Sequence, residues 1–197
     1  MTGASGNLGR VLVERLQRAG AVVVPLNHKD ADLSQEPQVE AAYDRAQQRN
    51  GAIWGSVQVA GGWAPGSVAQ TSVEVFERMI DVNLRSAFFC CRAALRRMRG
   101  EGRIVNVSAF NAATLTGVGG SAAYAAAKAG IVALTKAIAE EGGGVRANCV
   151  APGTMKTPAN GDLPGQVPLE DVAEGILYLL SPESGAVNGA VLTFPSR

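Results

Sequence analysis

The sequence predicts an α/β fold: one domain, residues 1–197, with a single doubly wound parallel sheet. Short apolar runs rich in β-branched residues alternate along the chain with segments of helical periodicity. A glycine-rich turn stands directly before the first of these helices, where a helix N-terminus can receive an anion. The length of 197 residues, 47% of them hydrophobic, suffices for one buried core and is too short for two ordinary domains.

The predicted elements follow one another as strand and helix almost without exception. The strands are predicted at residues 21–26, 55–60, 103–108, 145–150 and 190–194. The helices are predicted at residues 11–16, 37–48, 72–99, 121–141 and 170–180. Parallel strands require crossover connections, so this alternation places helices on both faces of the sheet. The long proline-containing loop at residues 154–167 is predicted to be a mobile lid.

Composition excludes several classes of protein. Eighteen Lys and Arg residues balance seventeen Asp and Glu residues, and no basic stripe is present, so we expect no nucleic-acid partner. Apolar runs are interrupted well before about 18 residues, which predicts no membrane partner, and the absence of a signal core predicts a cytoplasmic protein. The three cysteines lack metal-ligand spacing, so we expect free thiols and no metal site.

The glycine-rich turn is the first candidate binding element. It reads TGASGNLG at residues 2–9, with glycines at positions 3, 6 and 9. These positions permit a tight turn, close approach of the backbone to a pyrophosphate, and packing of the following helix. The free N–H groups and dipole of that helix would then face the anion.

A tyrosine and a lysine form the second candidate element. Tyr124 and Lys128 are four residues apart in a predicted helix, so both side chains lie on one helix face. A phenol with a pKa of about 10 is a poor acid at neutral pH unless a nearby ammonium stabilises its anion. A tyrosine packing on a lysine stem is the structural alternative for this pair.

Several further motifs follow the predicted strands in a fixed order. The set comprises the turn at residues 2–9, Asp32-Leu33, Ala60-Gly61-Gly62, Asn83, Ser108, Tyr124 with Lys128, and Pro152-Gly153 with Thr157. This ordered set spans essentially the whole chain and resembles the short-chain dehydrogenase/reductase family. The resemblance implies a Rossmann-like sheet and an NAD(P)-dependent oxidoreductase.

The resemblance implies four catalytic residues. Tyr124 matches the tyrosine that exchanges a proton with the substrate oxygen, and Lys128 matches the lysine that lowers its pKa and holds the nicotinamide ribose. Ser108 is the candidate for orienting the substrate carbonyl, and Asn83 for anchoring a proton-relay water. The loop between Ser108 and Tyr124 is about three residues longer than is common, so that Asn111 occupies the usual serine spacing and is a second candidate for contacting substrate.

The resemblance also implies a dinucleotide site. Asp32 matches the acid that binds the adenine amine, and Thr157 matches the hydroxyl that binds the carboxamide or the pyrophosphate. The full expected set is Gly3, Ser5, Gly6, Asn7, Leu8, Gly9, Asn27, Asp32, Leu33, Ala60, Gly61, Gly62, Tyr124, Lys128, Pro152, Gly153, Thr154 and Thr157. The chain reads Leu-Asn-His-Lys at residues 26–29, a cation without an acid, so we expect NADP rather than NAD, although Asp30 is close.

The stretches VAGGWAPG at residues 59–66 and TPAN at residues 157–160 resemble the dihydropteridine reductase branch of the family. A pterin-like conjugated imine is therefore the first expected substrate, and Trp63 would either stack on that flat ring or pack beneath the lid. A carbonyl or 3-oxoacyl reductase, or an alcohol dehydrogenase, is the alternative within the family. A dinucleotide-binding sensor without catalysis is the alternative outside enzymes, although a sensor has no need of a phenol beside an ammonium.

Two expectations concern assembly and the first strand. The helices around Phe88 and Tyr124 suit pairing between copies of the chain, which predicts a homodimer or homotetramer. In the family a central strand feeds the glycine turn, whereas only Met1 and Thr2 stand before it here. We therefore expect a truncated first strand: either the polypeptide begins earlier, or another segment fills the gap beside residues 22–24 and 57–60.

Overall fold

Parallel strands alternate with helices in the structure, a computed structural model that describes residues 1–196. The strands are β1 Gly55–Gln58, β2 Gly102–Val107, β3 Val145–Pro152 and β4 Val191–Phe194. The helices are α1 Asn7–Arg18, α2 Glu36–Asn50, α3 Val73–Met79, α4 Ser86–Leu95, α5 Phe110–Thr114, α6 Ala122–Glu141 and α7 Leu169–Leu180. A π-helical segment, Ile80–Arg85, joins α3 to α4.

The four strands form one parallel sheet in the order β1-β2-β3-β4. Val57, Val105 and Val150 face one side of it and pack with α1 and α7. Ile104 and Ala147 face the other side and pack with α2 and α4. The predicted α/β fold with helices on both faces is therefore confirmed, and the carboxyl ends of all four strands reach the same edge.

The predicted long helix at residues 72–99 differs from the structure in two respects. It ends at Leu95, and its centre is widened into the π-helical segment. The Asn83 side chain donates from Nδ2 to the Met79 carbonyl at 3.0 Å, in competition with the backbone ladder. A side chain inserted into the ladder in this way is a recognised cause of local helix distortion. Helix α5, which follows β2, was not predicted from the sequence.

The predicted strand at residues 21–26 is wrong, because this segment has almost nothing to pair with. It makes one bridge, between Leu26 and Thr2, and Thr2 makes a second bridge to Gln58 of β1. The backbone of Met1 extends this pairing by hydrogen bonds to Val24 and Leu26. A cavity of about 350 Å³ lies between residues 21–24 and β1.

Helix α6 is long and apolar enough to pass a composition test for a membrane span. It packs instead against β3 and the π-helical segment, and it buries Lys128, Ile131 and Thr135. This packing accounts for its apolar composition.

A buried amide connects the central sheet to two helices. Asn106 of β2 is fully buried, donates to the Thr135 hydroxyl of α6 at 2.9 Å, and accepts from the Cys91 thiol of α4. The Thr135 hydroxyl in turn donates to the Ile131 carbonyl. Each polar group in this network has its partner inside the core, so removal of the amide would leave polar atoms buried without one.

We predict that Asn106→Ala lowers the free energy of unfolding by ~2–4 kcal/mol, since it combines a cavity with the loss of buried hydrogen bonds. Urea unfolding followed by circular dichroism measures the change. The matched control is Asn50→Ala at the exposed end of α2, with an expected change within about 0.5 kcal/mol. Equal effects of the two substitutions would contradict the assignment.

Candidate active site

The glycine turn and the carboxyl ends of the strands surround one cavity of about 1080 Å³. The sequence-predicted site residues that line it are Gly3, Ser5, Gly6, Asn7, Leu8, Gly9, Asn27, Asp32, Leu33, Ala60, Gly61, Gly62, Trp63, Ser108, Tyr124, Lys128, Pro152, Gly153 and Thr157. Three predicted residues, Asn83, Asn111 and Thr154, do not line it. The topology therefore brings together residues more than a hundred positions apart in sequence.

The glycine turn is shaped by close backbone approaches. Gly3 has a φ of +64°, and a Cβ there would lie 2.7 Å from the Ala60 nitrogen. A Cβ on Gly9 would lie 2.1 Å from the Gly3 carbonyl oxygen, so α1 can pack this closely only without a side chain. Helix α1 starts after Gly6 with neither a side-chain cap nor an acidic residue in its first turn. Its free N–H groups therefore face the cavity as an anion site, which fits a dinucleotide pyrophosphate.

Asn27 lines the cavity beside the glycine turn and holds that turn by a hydrogen bond. Its Oδ1 accepts from the Ser5 N–H at 2.8 Å, and its own N–H donates to the Asp30 carboxylate at 2.8 Å. The Asp30 carboxylate is thus turned back onto the chain, whereas His28 lines the cavity and Lys29 is exposed beside it. Asp32 accepts from the Ser34 hydroxyl and N–H, and these hydrogen bonds lower the pKa of its carboxyl.

Tyr124 and Lys128 share one face of α6, as predicted. The Lys128 ammonium lies 5.9 Å from the centre of the Tyr124 ring and donates to the Val107 carbonyl at 2.9 Å. Burial of Lys128 lowers its pKa to about 8, and desolvation raises the pKa of Tyr124 to about 12. Within the described residues the Tyr124 hydroxyl has no hydrogen-bond partner, so it remains available to a ligand.

Asn83 lies behind the cavity wall and holds it in place. Its Oδ1 accepts from the Gly62 N–H at 3.2 Å, while its Nδ2 donates to the Gly62 carbonyl and to the Met79 carbonyl. A Cβ on Gly61 would lie 2.6 Å from this Oδ1 and 3.2 Å from the Lys128 ammonium. The side chain therefore fixes the turn after β1, which is a positioning function, and its role in a water relay remains a prediction.

The serine and the two remaining predicted residues have other partners. The Ser108 hydroxyl, 3% exposed, donates to the Lys128 carbonyl at 2.8 Å, which secures α6 to the end of β2. The Asn111 amide donates to the Gly117 carbonyl, and the Thr154 N–H donates to the Ser196 hydroxyl. The first bond holds Asn111 to its own loop and the second holds Thr154 to the segment after β4, and neither residue lines the cavity. A carbonyl-orienting function for Ser108 remains a prediction.

The cavity wall formed by Trp63, α3 and the π-helical segment contains residues that the sequence did not predict, apart from Trp63. Trp63 is 64% exposed at the cavity, which argues against packing beneath the lid and leaves the indole face free. Glu77, Arg78 and Asp81 also line the cavity from α3 and the π-helical segment. In the sequence they resemble any solvated helix face, so no local signal distinguishes them. Only the packing of α3 beside the carboxyl end of β1 brings them to the site.

The geometry matches a fold and a family already known from other proteins. The sequence pattern of the family described as enoyl-(acyl carrier protein) reductase matches residues 6–194. An inactive 2-(S)-hydroxypropyl-CoM dehydrogenase 2 of Xanthobacter autotrophicus is 36% identical over 82% of this chain and 80% of its own. A cis-4-hydroxycyclohexanecarboxylate dehydrogenase of Sinomonas cyclohexanicum is 32% identical over 98% and 92%.

A solved short-chain dehydrogenase/reductase of Serratia marcescens superposes with a TM-score of 0.89 at 26% identity, over 99% of this chain and 94% of its own. The dihydropteridine reductase branch suggested by residues 59–66 is not confirmed by these comparisons. The comparisons do confirm the broader short-chain dehydrogenase/reductase family. With its Tyr124–Lys128 pair at the edge of a parallel sheet, the chain belongs to the short-chain dehydrogenase/reductase family of NAD(P)-dependent oxidoreductases.

Proposed function

We propose that the protein interconverts a secondary alcohol and a ketone with a nicotinamide dinucleotide, and that Tyr124 exchanges the proton with the substrate oxygen. The observation that carries the proposal is the pair itself. A free phenol opens into a large cavity, and a buried ammonium lies on the same helix face within 5.9 Å of its ring. A protein that only senses a dinucleotide has no use for this arrangement.

The residues around the cavity divide into two groups. The glycine turn and the start of α1 would hold the pyrophosphate, with Asn27 and Asp32 toward the adenosine end. Gly61 and Gly62, with Pro152 and Gly153, form walls near Tyr124 and Lys128. When bound, the nicotinamide supplies or accepts hydride at the substrate carbon.

Proton transfer is assigned to the residues of α6. In the reduction direction Tyr124 donates its proton to the developing alkoxide, and the Lys128 ammonium stabilises the phenolate that results. In the oxidation direction the phenolate takes the alcohol proton. The raised pKa of Tyr124 keeps the phenol protonated at neutral pH, and the lowered pKa of Lys128 makes its charge sensitive to pH near 8.

A secondary alcohol or ketone is favoured over a pterin by the relatives. The names of two relatives describe dehydrogenases of hydroxyl-bearing substrates, 2-(S)-hydroxypropyl-CoM and cis-4-hydroxycyclohexanecarboxylate. The exposed Trp63 face is the observation that favours a flat heterocycle as the second candidate. Assay of reduced dinucleotide oxidation with cyclic ketones and with quinonoid dihydropterin separates the two.

NADP is the proposed dinucleotide, and a homo-oligomer the proposed assembly. The Asp30 carboxylate is held by the Asn27 N–H, while His28 lines the cavity and the exposed Lys29 follows it in sequence, so these two cations are the candidates for contacting a 2′-phosphate. Phe88 and Val82 are exposed apolar residues on the helical run beside α6, in keeping with pairing between copies.

We predict that Tyr124→Phe lowers kcat/KM about 10²–10⁴-fold for whichever ketone or alcohol proves to be accepted, because the general acid is lost. Dinucleotide binding measured by calorimetry stays unchanged. The matched control is Tyr178→Phe on α7, an exposed tyrosine outside the cavity, which keeps full activity. Undiminished turnover by Tyr124→Phe would refute the proposed mechanism.

A further prediction concerns the preference for NADPH over NADH. Lys29→Ala weakens NADPH binding about 10-fold, the value of one charge-assisted hydrogen bond, and leaves NADH binding unchanged. The control is Lys136→Ala, an exposed lysine of α6 outside the cavity. Calorimetric titration with both dinucleotides measures the ratio. Tighter binding of NADH than NADPH by the unmodified protein would contradict the proposed preference.

A further inference from the structure

The loop at residues 154–167 is joined to the sheet through the side chain of Ser196. We call this segment the cover loop, because Met155 and Thr157 within it line the candidate active-site cavity. The Thr154 N–H at its beginning donates to the Ser196 hydroxyl at 2.9 Å, just beyond the end of β4. In the part of the chain that the structure describes, this is the one hydrogen bond between the cover loop and any other segment.

The cover loop is bonded within itself, so it is positioned as one unit. The Val167 N–H donates to the Thr154 carbonyl and the Lys156 N–H donates to the Val167 carbonyl, both at 2.9 Å, which closes the two ends of the loop on each other. Inside the loop the Asn160 amide donates to the Met155 carbonyl at 2.8 Å. Loops of this length with adjacent ends form compact units. The placement of Thr154 therefore sets the placement of Met155 at the cavity.

Ser196 lies directly behind the cavity wall that Gly153 forms. A Cβ on Gly153 would lie 2.5 Å from the Ser196 Oγ and 2.8 Å from the Ser196 nitrogen, so only a glycine allows this approach. The Gly153 N–H also donates to the Phe194 carbonyl at 2.8 Å. The segment after β4 therefore supports two successive N–H groups, those of Gly153 and Thr154, at the point where the cover loop leaves the sheet.

Packing of Phe194 fixes the segment that carries Ser196. A Cβ on Gly175 of α7 would lie 2.6 Å from the Phe194 ring, so this ring rests against the helix backbone. The ring also packs with the apolar residues that α1 and α7 bury against the sheet. Ser196 itself is exposed, so its side chain contributes little to the core. Its hydroxyl is thus held two residues from a well-packed ring, as an acceptor whose position is set before any ligand binds.

We propose that Ser196 is a positioning residue for the dinucleotide. Its hydroxyl holds the cover loop at Thr154, so that Met155 and Thr157 line the cavity beside Gly153 in the free protein as well as in the complex. Because the wall is ordered in advance, binding loses less conformational entropy. The inference rests on the dinucleotide placement proposed above, and it adds a residue that does not itself line the cavity.

Three variants test the function of the hydroxyl. Ser196→Ala removes it, whereas Ser196→Thr retains a hydroxyl at the same place and serves as the conservative rescue. Ser181→Ala is the matched control, because the Ser181 hydroxyl also bonds to backbone, donating to the Tyr178 carbonyl at 2.8 Å, and lies outside the cavity lining. All three variants should fold, since neither serine is buried.

Calorimetric titration with NADPH and with NADH measures binding without turnover. We expect Ser196→Ala to raise the Kd of the bound dinucleotide about threefold to tenfold, the value of one neutral hydrogen bond. Ser196→Thr and Ser181→Ala should leave the Kd within about twofold. Amide hydrogen exchange without ligand reports the bond itself: the Thr154 amide should exchange at least about threefold faster in Ser196→Ala and at an unchanged rate in Ser196→Thr.

Three results would overturn this inference and leave the proposed function standing. They are unchanged dinucleotide binding by Ser196→Ala, an equal loss of affinity in Ser196→Thr, and an equal loss in Ser181→Ala, which would show a general effect of stability. If the unmodified protein bound neither NADPH nor NADH, the proposed function would fail, and this inference would fail with it.

Discussion

The position of one buried cation constrains the whole site. The Lys128 ammonium is desolvated, donates to the Val107 carbonyl at the end of β2, and sits close behind Gly61. An uncompensated buried charge is costly, so this placement requires the strand end, the α6 register and the glycine turn to be in place together. Asn83 secures the turn and Ser108 secures the helix, each by hydrogen bonds to backbone. These contacts also set the position of Tyr124, because it lies on the same helix as Lys128.

The site also depends on segments of backbone that pack closely against one another at glycines. Gly3, Gly9 and Gly61 each stand where a Cβ would collide with backbone or with a buried side chain. Their absence of side chains lets the glycine turn, α1 and the end of β1 meet within one cavity wall. The same close approach leaves the N–H groups at the start of α1 bare, and bare N–H groups attract the anionic part of a dinucleotide. Packing and binding therefore depend on the same positions.

The sequence predicted what local spacing and order determine. The fold class follows from the alternation of strands and helices, and Tyr124 with Lys128 follows from a four-residue spacing on one helix. The strand at residues 21–26 was wrong because its residues have β propensity while its pairing depends on distant chain. The π-helical segment contains the Asn83 side chain, bonded to the Met79 carbonyl, and hydrophobic periodicity gives no information about such a bond. Glu77, Arg78 and Asp81 reach the cavity through tertiary packing alone.

The protonation state of Lys128 connects burial to chemistry. Its pKa in the folded protein, about 8, lies below the ordinary lysine value of 10.5. The unfolded chain therefore binds more protons between these values, so stability from this group rises as the pH increases through that window. In the proposed mechanism, the Lys128 charge that would stabilise the Tyr124 phenolate is present below about pH 8 and is lost above it. Under the proposed mechanism, stability from Lys128 and stabilisation of the phenolate therefore respond to pH in opposite directions.

Lys128 is a desolvated ammonium whose pKa, about 8, lies close to neutral pH. Nitrogen-15 NMR of labelled lysine side chains, with Lys128 identified by its absence in Lys128→Met, measures its titration directly. We expect a midpoint near pH 8 in the folded protein. A midpoint near the ordinary lysine value of 10.5 would show a solvated ammonium and contradict its desolvation.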